Sequence, residues 1–287
     1  MLDVESAWHA LLEISEAYRT GANAGETAVA TLPCGRLTIL PAGGWSLDPK
    51  PSAGLAAFLD LYAPFCVATR RRGFVIAHLG QSLDGRIATE SGASRWITGG
   101  ADVVHNHRMR ALADAVLVGA ATLRCDDPQL TVRGCAGRNP VRVVLDPEGA
   151  LDGTYRVFRD AATPTLIVTA EDRARPNRRI AGAEILALPR GAAGIAPRDI
   201  RAALARRGLT RLFVEGGGIT VSHFLRAGCL DRLQITVSPL ILGSGRASIT
   251  LPAIDDVRSG LRPRMRRFDL GEDIMFEAVF ERDGRDD

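Results

Sequence analysis

The sequence predicts an α/β fold with a mostly parallel central sheet, on the strength of three observations. From about residue 73, short β-like runs alternate with helical stretches along most of the 287-residue chain. Several of these runs, such as residues 141–146 and 165–169, consist almost entirely of strand-forming residues. Glycine-rich turns separate strands from helices. Strands that alternate with helices place the helices on both faces of a parallel sheet.

The first part of the chain lacks the regular alternation of strands and helices that is predicted from residue 73. Residues 1–22 predict a helix that Gly21 ends. Residues 23–57 are rich in Gly, Pro and Ala and contain one strand candidate at 36–40, and residues 55–62 predict a short helix before Pro64. From Phe65 the sequence changes to alternating strand-like and helical stretches. We therefore predict an N-terminal extension of unknown role at 1–72 and a main domain at 73–287. The apolar residues that give the first helix its period are Leu2, Trp8, Leu11, Leu12 and Ile14.

The main domain supplies the predicted sheet and its helices. A helix at 197–207 is ended by Gly208, and a strand at 211–215 runs directly into three glycines. The final segments are expected to add antiparallel edge strands. The other predicted strands are 74–79, 115–118, 141–146, 165–169, 232–238 and 276–281, and the other helices are about 100–112 and 219–227.

Composition excludes several classes of function. Thirty-six basic and 33 acidic side chains give a net charge of +3, too weak to argue for nucleic acid or an acidic membrane as partner. The single lysine, Lys50, lies between two prolines, so neither a P-loop nor Schiff-base chemistry has its lysine. The chain shows neither a signal peptide nor an apolar run of about 20 residues. We therefore expect a soluble, cytoplasmic protein.

Cysteine and histidine spacing argues against a metal centre. The five cysteines include no C-x-x-C pair, which indicates free thiols in a reducing compartment. His105 and His107 lie two positions apart on a predicted helix, so they point in different directions and cannot share one metal. A surface or capping position is expected for at least one of them, and no metal is expected.

The strand at 211–215 ends in Glu215 and is followed by Gly216, Gly217 and Gly218. Ligands of open α/β sheets lie beyond the carboxyl ends of the strands, and a helix that starts after glycines presents bare N–H groups to a phosphate. The spacing is not the G-x-G-x-x-G of a Rossmann fingerprint. The alternative is a tight strand-to-helix turn without a ligand.

Residues 121–133 also follow a predicted strand and hold Asp126, Asp127 and Arg133. Neighbouring carboxylates suit a metal site or an acid–base pair, whereas Asp before Pro128 alternatively fixes a turn. In the segment 91–100, Thr98 is a plausible helix N-cap, with Asp102 in the first turn. Arg110 and Arg133 offer the permanently charged forks that a phosphate prefers.

Six segments now stand in a recognisable order: 78–85 (HLGQSLDG), 94–98 (SRWIT), 108–110 (RMR), 126–133 (DDPQLTVR), 214–218 (VEGGG) and 239–243 (PLILG). In this order they resemble the reductase domain of riboflavin biosynthesis, the 5-amino-6-(5-phosphoribosylamino)uracil reductases. The resemblance spans about 73–282. It implies a dihydrofolate reductase-like, three-layer sandwich around a mostly parallel mixed sheet, and a homodimer. Apolar residues at 233–242 support the homodimer, unless they pack within the sheet.

The resemblance implies NADPH-dependent reduction of a phosphoribosylamino-pyrimidine to its ribitylamino form. We predict Glu215 and His78 as the catalytic residues, with Glu215, or a water that it orients, as the proposed proton source. Cationic candidates for the NADPH 2′-phosphate are Arg142, Arg173 and Arg178. Substrate contacts match Ser94, Arg110, Leu130, Arg133 and Glu215, and cofactor contacts match Gly80, Trp96, Thr122, Asp126 and the run 217–223, which begins with Gly217, Gly218, Ile219 and Thr220.

Two departures from the family keep other functions open. The family often has lysine where this chain has His78, and the zinc deaminase of bifunctional members needs H-x-E and P-C-x-x-C ligands that residues 1–72 lack. We expect no deaminase and no catalytic zinc. The alternatives are a reductase of a 2,5-diamino-pyrimidinone phosphate, a reductase of another specialised pyrimidine or pterin, and a nucleotide-binding paralogue without turnover.

Overall fold

A computed structural model describes residues 2–21, 26–67, 73–174 and 180–280 of the chain. The helices are α1 (Leu2–Thr20), α2 (Ala53–Cys66), α3 (Gly100–Leu112), α4 (Ala120–Asp126), α5 (Arg156–Arg159), α6 (Pro197–Ala205) and α7 (Gly218–Arg226). The strands are β1 (Ala28–Leu32), β2 (Gly35–Ile39), β3 (Trp45–Asp48), β4 (Phe74–Ser82), β5 (Arg86–Thr89), β6 (Ala115–Gly119), β7 (Val141–Leu145), β8 (Thr165–Ala170), β9 (Glu184–Leu188), β10 (Arg190–Gly191), β11 (Gly194–Ile195), β12 (Arg211–Glu215), β13 (Arg232–Ser238), β14 (Gly245–Ala247), β15 (Arg264–Leu270) and β16 (Asp273–Val279).

Nine of these strands form one mixed sheet in the order β15-β16-β13-β4-β12-β6-β7-β8-β9. From β13 to β9 every neighbouring pair is parallel. At the other end, β16 runs antiparallel to β13 and β15 antiparallel to β16. The predicted mixed, mostly parallel sheet with antiparallel strands from the end of the chain is therefore confirmed.

Helices cover both faces of this sheet, as the alternation of side chains along β4 shows. Ile76 packs into a core on one face together with Met109 of α3. Val75 and Ala77, which point the other way, pack into a second core with Phe224 of α7. The predicted three-layer sandwich is confirmed.

The N-terminal helices belong to the first of these cores. Trp8 of α1 and Phe65 of α2 are buried in the same cluster as Met109, and β1, β2 and β3 form a small antiparallel sheet beside them. The proposed boundary near residue 72 lies outside the described residues. The division at that point and the role of the extension stay predictions.

One buried arginine joins this N-terminal segment to the central sheet. Arg211, at the start of β12, is 1% exposed. Its guanidinium donates to Asp114 Oδ1 (2.9 Å), to the carbonyl of Ser15 in α1 (3.1 Å) and to that of Cys66 in α2 (3.3 Å). Burial opposes ionisation of Asp114, but the charge and hydrogen bonds of Arg211 outweigh it and hold the pKa of Asp114 below its ordinary value.

Most predicted elements are found within a few residues of their predicted limits, and the differences have local causes. The strand candidate at 36–40 is β2, and its neighbours β1 and β3 were not predicted. Helix α2 continues through Pro64 to Cys66 because Phe65 and Cys66 are fully buried. The last predicted strand, 276–281, is β16, which starts earlier at Asp273, and Glu281 lies outside the described residues. No helix among the described residues is both long and apolar enough to cross a membrane.

Candidate active site

A cleft of about 490 Å³ lies at the carboxyl ends of the central parallel strands. Strand pairing explains its position, because Glu215 at the end of β12 stands opposite His78 in β4 and β6 ends beside them at Gly119. Ten of the predicted site residues line this cleft: His78, Gly80, Ser94, Thr122, Asp126, Glu215, Gly217, Gly218, Ile219 and Thr220.

The other four predicted residues do not line the cleft. Arg110 and Leu130 lie behind its wall, at 8% and 1% exposure. Trp96 adjoins lining residue Ile97 but is 93% exposed, with its backbone in the left-handed region at φ 71°. Arg133 lies in the loop after α4 that also carries Leu130.

Arg110 and Glu215 form a two-pronged ion pair. Arg110 Nε donates to Glu215 Oε2 at 2.7 Å, Nη2 donates to Oε1, and Nη1 donates to the carbonyl of Thr131 at 3.0 Å. Burial disfavours the charged guanidinium, yet the charge of Glu215 raises the pKa of Arg110 above its ordinary value. The pair fixes the orientation of the Glu215 carboxylate, and Arg110 reaches the cleft through that carboxylate.

His78 is held by a carboxylate that the sequence did not reveal as its partner. His78 Nε2 lies 3.0 Å from Asp102 Oδ1 and 3.1 Å from Thr236 Oγ1. Burial would raise the pKa of Asp102, but the charge of His78 and the hydrogen bonds from His78 and Thr236 hold it below its ordinary value. Thr98 Oγ1 donates to Asp102 Oδ2 at 2.8 Å, so the prediction that Thr98 caps α3 is wrong and the N-cap is Gly99.

Both histidines of α3 are buried, so the expected surface or capping position is wrong for His105 and His107 alike. His105 lies between the Tyr62 hydroxyl and the Gln234 amide oxygen, each 2.9 Å from a ring nitrogen. Burial, together with the charge of His78, lowers the pKa of His105 to about 4. Among the described residues there is no group of three or more His, Cys, Asp or Glu side chains placed to hold a metal ion.

The glycine turn after β12 is shaped by close approaches that exclude side chains. Gly216 and Gly217 have φ values of 77° and 74°. A Cβ on Gly218 would lie 2.3 Å from the carbonyl oxygen of Ser248. Helix α7 begins here without a side-chain cap, and the N–H groups of a helix's first turn attract a phosphate. These residues fit the pyrophosphate of a dinucleotide.

The two adjacent carboxylates after α4 are directed to different partners. Asp126 Oδ1 accepts a hydrogen bond from Ser94 Oγ at 2.6 Å. Asp127 adopts a left-handed conformation at the end of α4 and accepts from the backbone N–H of Arg156 at 2.8 Å. Of the readings that the sequence left open, this favours a loop-fixing role for Asp127 over a shared metal or acid–base pair.

Positive charge gathers around Arg133, near the Arg110–Glu215 pair. Arg133 Nη1 donates to Gln129 Oε1 at 2.6 Å and to Thr131 Oγ1 at 2.9 Å. Burial and the neighbouring charges of Arg110 and Arg156 lower the pKa of Arg133. A dianionic group near Arg133 would relieve this repulsion.

The three arginines predicted as candidates for binding the 2′-phosphate differ in how accessible the structure makes them. Arg142 is 1% exposed, and its guanidinium donates to Thr165 Oγ1 and to the carbonyls of Asp160 and Thr163. Arg142 is therefore excluded as a ligand of the 2′-phosphate. Arg173 is half exposed and lies 3.4 Å from Glu148. Arg178 lies outside the described residues.

Sequence reasoning missed several cleft residues. Asp102 and Asn106 line the cleft, and the regular interval of four positions from Asp102 to Asn106 and from Asn106 to Arg110 on one helix was an available signal. Cys125 and Arg246, which also line the cleft, contact each other at 3.1 Å across 121 residues of chain, and no sequence signal pointed to that pair.

Comparison with known proteins gives a family match over most of the chain. Residues 73–269 match the family model of the RibD C-terminal domain. The riboflavin biosynthesis protein RibD of Aquifex aeolicus is 33% identical over 214 residues, which cover 74% of this chain and 59% of that protein. The 2,5-diamino-6-ribosylamino-4(3H)-pyrimidinone 5′-phosphate reductase of Methanothermobacter thermautotrophicus is 36% identical over 220 residues, covering 72% and 97%.

Among solved structures, a diaminohydroxyphosphoribosylaminopyrimidine deaminase/5-amino-6-(5-phosphoribosylamino)uracil reductase of Thermotoga maritima is similar, with a TM-score of 0.61 and 29% identity. The match covers 79% of this chain and 61% of that one. The chain thus spans about three fifths of these longer relatives and nearly all of the archaeal reductase.

Proposed function

The chain belongs to the RibD C-terminal domain family, and from that membership we propose that it reduces a phosphoribosylamino-pyrimidine to its ribitylamino form with NADPH, as in riboflavin biosynthesis. The observation that carries the proposal is the juxtaposition, in one cleft, of a glycine turn that fits a pyrophosphate with the oriented carboxylate of Glu215. Hydride transfer requires the nicotinamide and the acceptor carbon to be held side by side, and a single cleft lined by both sets of residues meets that requirement.

The substrate side of the proposal consists of Ser94, Arg110, Leu130, Arg133 and Glu215. Glu215, fixed by Arg110, accepts hydrogen bonds from substrate hydroxyl or amine groups. Arg133 keeps guanidinium nitrogens beyond the one that binds Gln129 and Thr131, and these bind the ribose phosphate.

The cofactor side consists of Gly80, Trp96, Thr122, Asp126 and the run 217–223. When bound, NADPH supplies the hydride, while the N–H groups at the start of α7 hold its pyrophosphate. Preference for NADPH over NADH requires a cation for the 2′-phosphate, and Arg173 remains a described candidate. At least ten-fold higher kcat/KM with NADPH supports this part of the proposal, and equal values contradict it.

The open-chain product needs a proton at the ribosylamino nitrogen. His78 is the first candidate because Asp102 and Thr236 hold its Nε2 and thereby fix the ring, which leaves Nδ1 for the reaction. A water that Glu215 orients is the second. His78→Lys, which restores the residue often found in the family, separates them: retained turnover with a shifted pH–rate profile supports His78.

We also propose a cytoplasmic homodimer. The five cysteines include no C-x-x-C pair, which fits a reducing compartment. Residues 233–242 give limited support for the dimer, since Leu233 is buried within the sheet. Better support comes from exposed apolar residues on the segment that follows β14, and a light-scattering mass of twice 30.7 kDa is expected. These residues are Leu251, Ile254, Val257, Leu261 and Met265.

The decisive experiment is to follow the loss of NADPH absorbance with each of two purified substrates. They are 5-amino-6-(5-phosphoribosylamino)uracil and 2,5-diamino-6-ribosylamino-4(3H)-pyrimidinone 5′-phosphate. The identity and nearly full coverage of the archaeal reductase favour the second as the alternative substrate. Turnover of either establishes a reductase, and the higher kcat/KM identifies its substrate. NADPH binding without turnover of either refutes the proposal and favours a nucleotide-binding paralogue.

A further inference from the structure

Asn106 lines the cleft, and no other part of the proposed function uses it. It lies on α3 one turn after Asp102, which binds His78, and one turn before Arg110, which binds Glu215. Its side chain lines the cleft. Along the helix, Asn106 therefore lies between the residues of the Asp102–His78 and Arg110–Glu215 pairs.

The amide oxygen of Asn106 is an unsatisfied polar atom. Oδ1 is buried and has no hydrogen-bond partner within the part of the chain that the structure describes. Buried polar atoms nearly always have partners, because an unpaired one loses its hydration without compensation. Asparagine is also a poor helix former. A residue that served only the fold at this position would be apolar or paired, so the missing partner points to a ligand.

We infer that Asn106 recognises the pyrimidine base of the substrate, with Oδ1 accepting a hydrogen bond from a ring N–H or an exocyclic amine. The inference rests on the proposed function. An acceptor oxygen disfavours the phosphate, which the arginines beside Thr131 attract instead. The nicotinamide carboxamide also carries N–H donors. The pyrimidine base is favoured over the nicotinamide because Asn106 lies one turn of α3 from Arg110. The partner of Arg110, Glu215, belongs to the proposed substrate side.

Two variants separate this role from a structural one. Asn106→Leu keeps the volume and removes the hydrogen bond, whereas Asn106→Asp keeps an acceptor oxygen at the same position. Asn139→Leu is the matched control, because Asn139 Oδ1 is paired with the backbone N–H of Val132 at 2.8 Å and so serves the fold. The Kd of each of the two pyrimidines is measured by calorimetry without NADPH, the Kd of NADPH by fluorescence, and Tm by calorimetric scanning.

For Asn106→Leu we expect the pyrimidine Kd to rise about ten-fold, because the base N–H is left without an acceptor. The NADPH Kd should stay within about two-fold and Tm should not fall. For Asn106→Asp we expect tighter pyrimidine binding than for Asn106→Leu. Asn139→Leu should lower Tm.

Three results would overturn the inference: an unchanged pyrimidine Kd in Asn106→Leu, equal losses in both Asn106 variants, or a loss confined to NADPH, which would assign the amide to the nicotinamide. Failure of the proposed function looks different. If the wild type binds a pyrimidine without reducing it, the Kd comparison still decides the role of Asn106. If it binds neither pyrimidine, both proposals fall.

Discussion

Replacement of Arg211 by methionine tests whether a buried charge holds the N-terminal segment against the central sheet. Arg211 hydrogen-bonds Asp114 together with main-chain carbonyls of α1 and α2. Methionine fills much of the volume but leaves Asp114 buried and without its main partner. Breaking one side of a buried ion pair costs about 3–5 kcal/mol. At about 2–4 °C per kcal/mol for a chain of this size, Tm should fall by about 6–20 °C.

The control is Arg267→Met, which removes the same group from an exposed ion pair with Asp269 and should cost less than about 0.5 kcal/mol. The double variant Arg211→Met/Asp114→Leu should recover much of the loss, since no buried charge then remains. Urea unfolding gives the free energies, and limited proteolysis within α1 and α2 reports release of the N-terminal segment. A loss for Arg211→Met within about 1 kcal/mol of the control would refute the reasoning.

Three further predictions concern binding and pH. Arg133→Ala should raise the KM for the pyrimidine about ten- to a hundred-fold and leave the NADPH Kd unchanged; a lowered Tm with unchanged KM would remove Arg133 from the site. Gly218→Ala should weaken NADPH binding at least about ten-fold, because its Cβ would lie 2.3 Å from the carbonyl of Ser248. The control Gly54→Ala, where a Cβ would meet open space, should leave NADPH binding unchanged. Equal NADPH affinities of Gly218→Ala and the wild type would contradict the placement of the pyrophosphate at Gly218. Burial lowers the folded-state pKa of His105 to about 4, below the unfolded value of about 6.5. The contribution of neutral His105 to the free energy of unfolding is therefore complete above pH 6.5 and is lost as the pH falls toward 4. In urea unfolding the wild type should lose about 2 kcal/mol more than His105→Gln between pH 7.5 and 5, and parallel pH curves would argue against it.

The fold was largely predictable because its strongest signals are local. Strand Arg211–Glu215 and helix Gly100–Leu112 have the limits that the sequence predicts, since apolar periodicity and glycine turns mark both ends. The strands β1 and β3 were missed because each is only four or five residues long in a segment rich in Gly, Pro and Ala.

The site was predictable only where chemistry and sequence order coincide. Glu215 ends a strand and the glycine turn follows it directly. Their place at the carboxyl end of the sheet could therefore be inferred. The partners of His78 could not, because Thr236 is brought there by the pairing of β13 with β4 across 158 residues. Such pairings depend on strand order, which no local pattern encodes.

The conformation of Trp96 has a consequence for optical measurements. Its ring is 93% exposed, whereas Trp8 is buried and Trp45 is half-buried with its indole N–H bonded to Asp60. Of the three tryptophans, Trp96 therefore emits from a fully hydrated environment, and it adjoins residue Ile97 of the cleft wall. A molecule bound over this part of the cleft would dehydrate the indole and shift its emission to the blue, so Trp96 can serve as an intrinsic fluorescent reporter of binding.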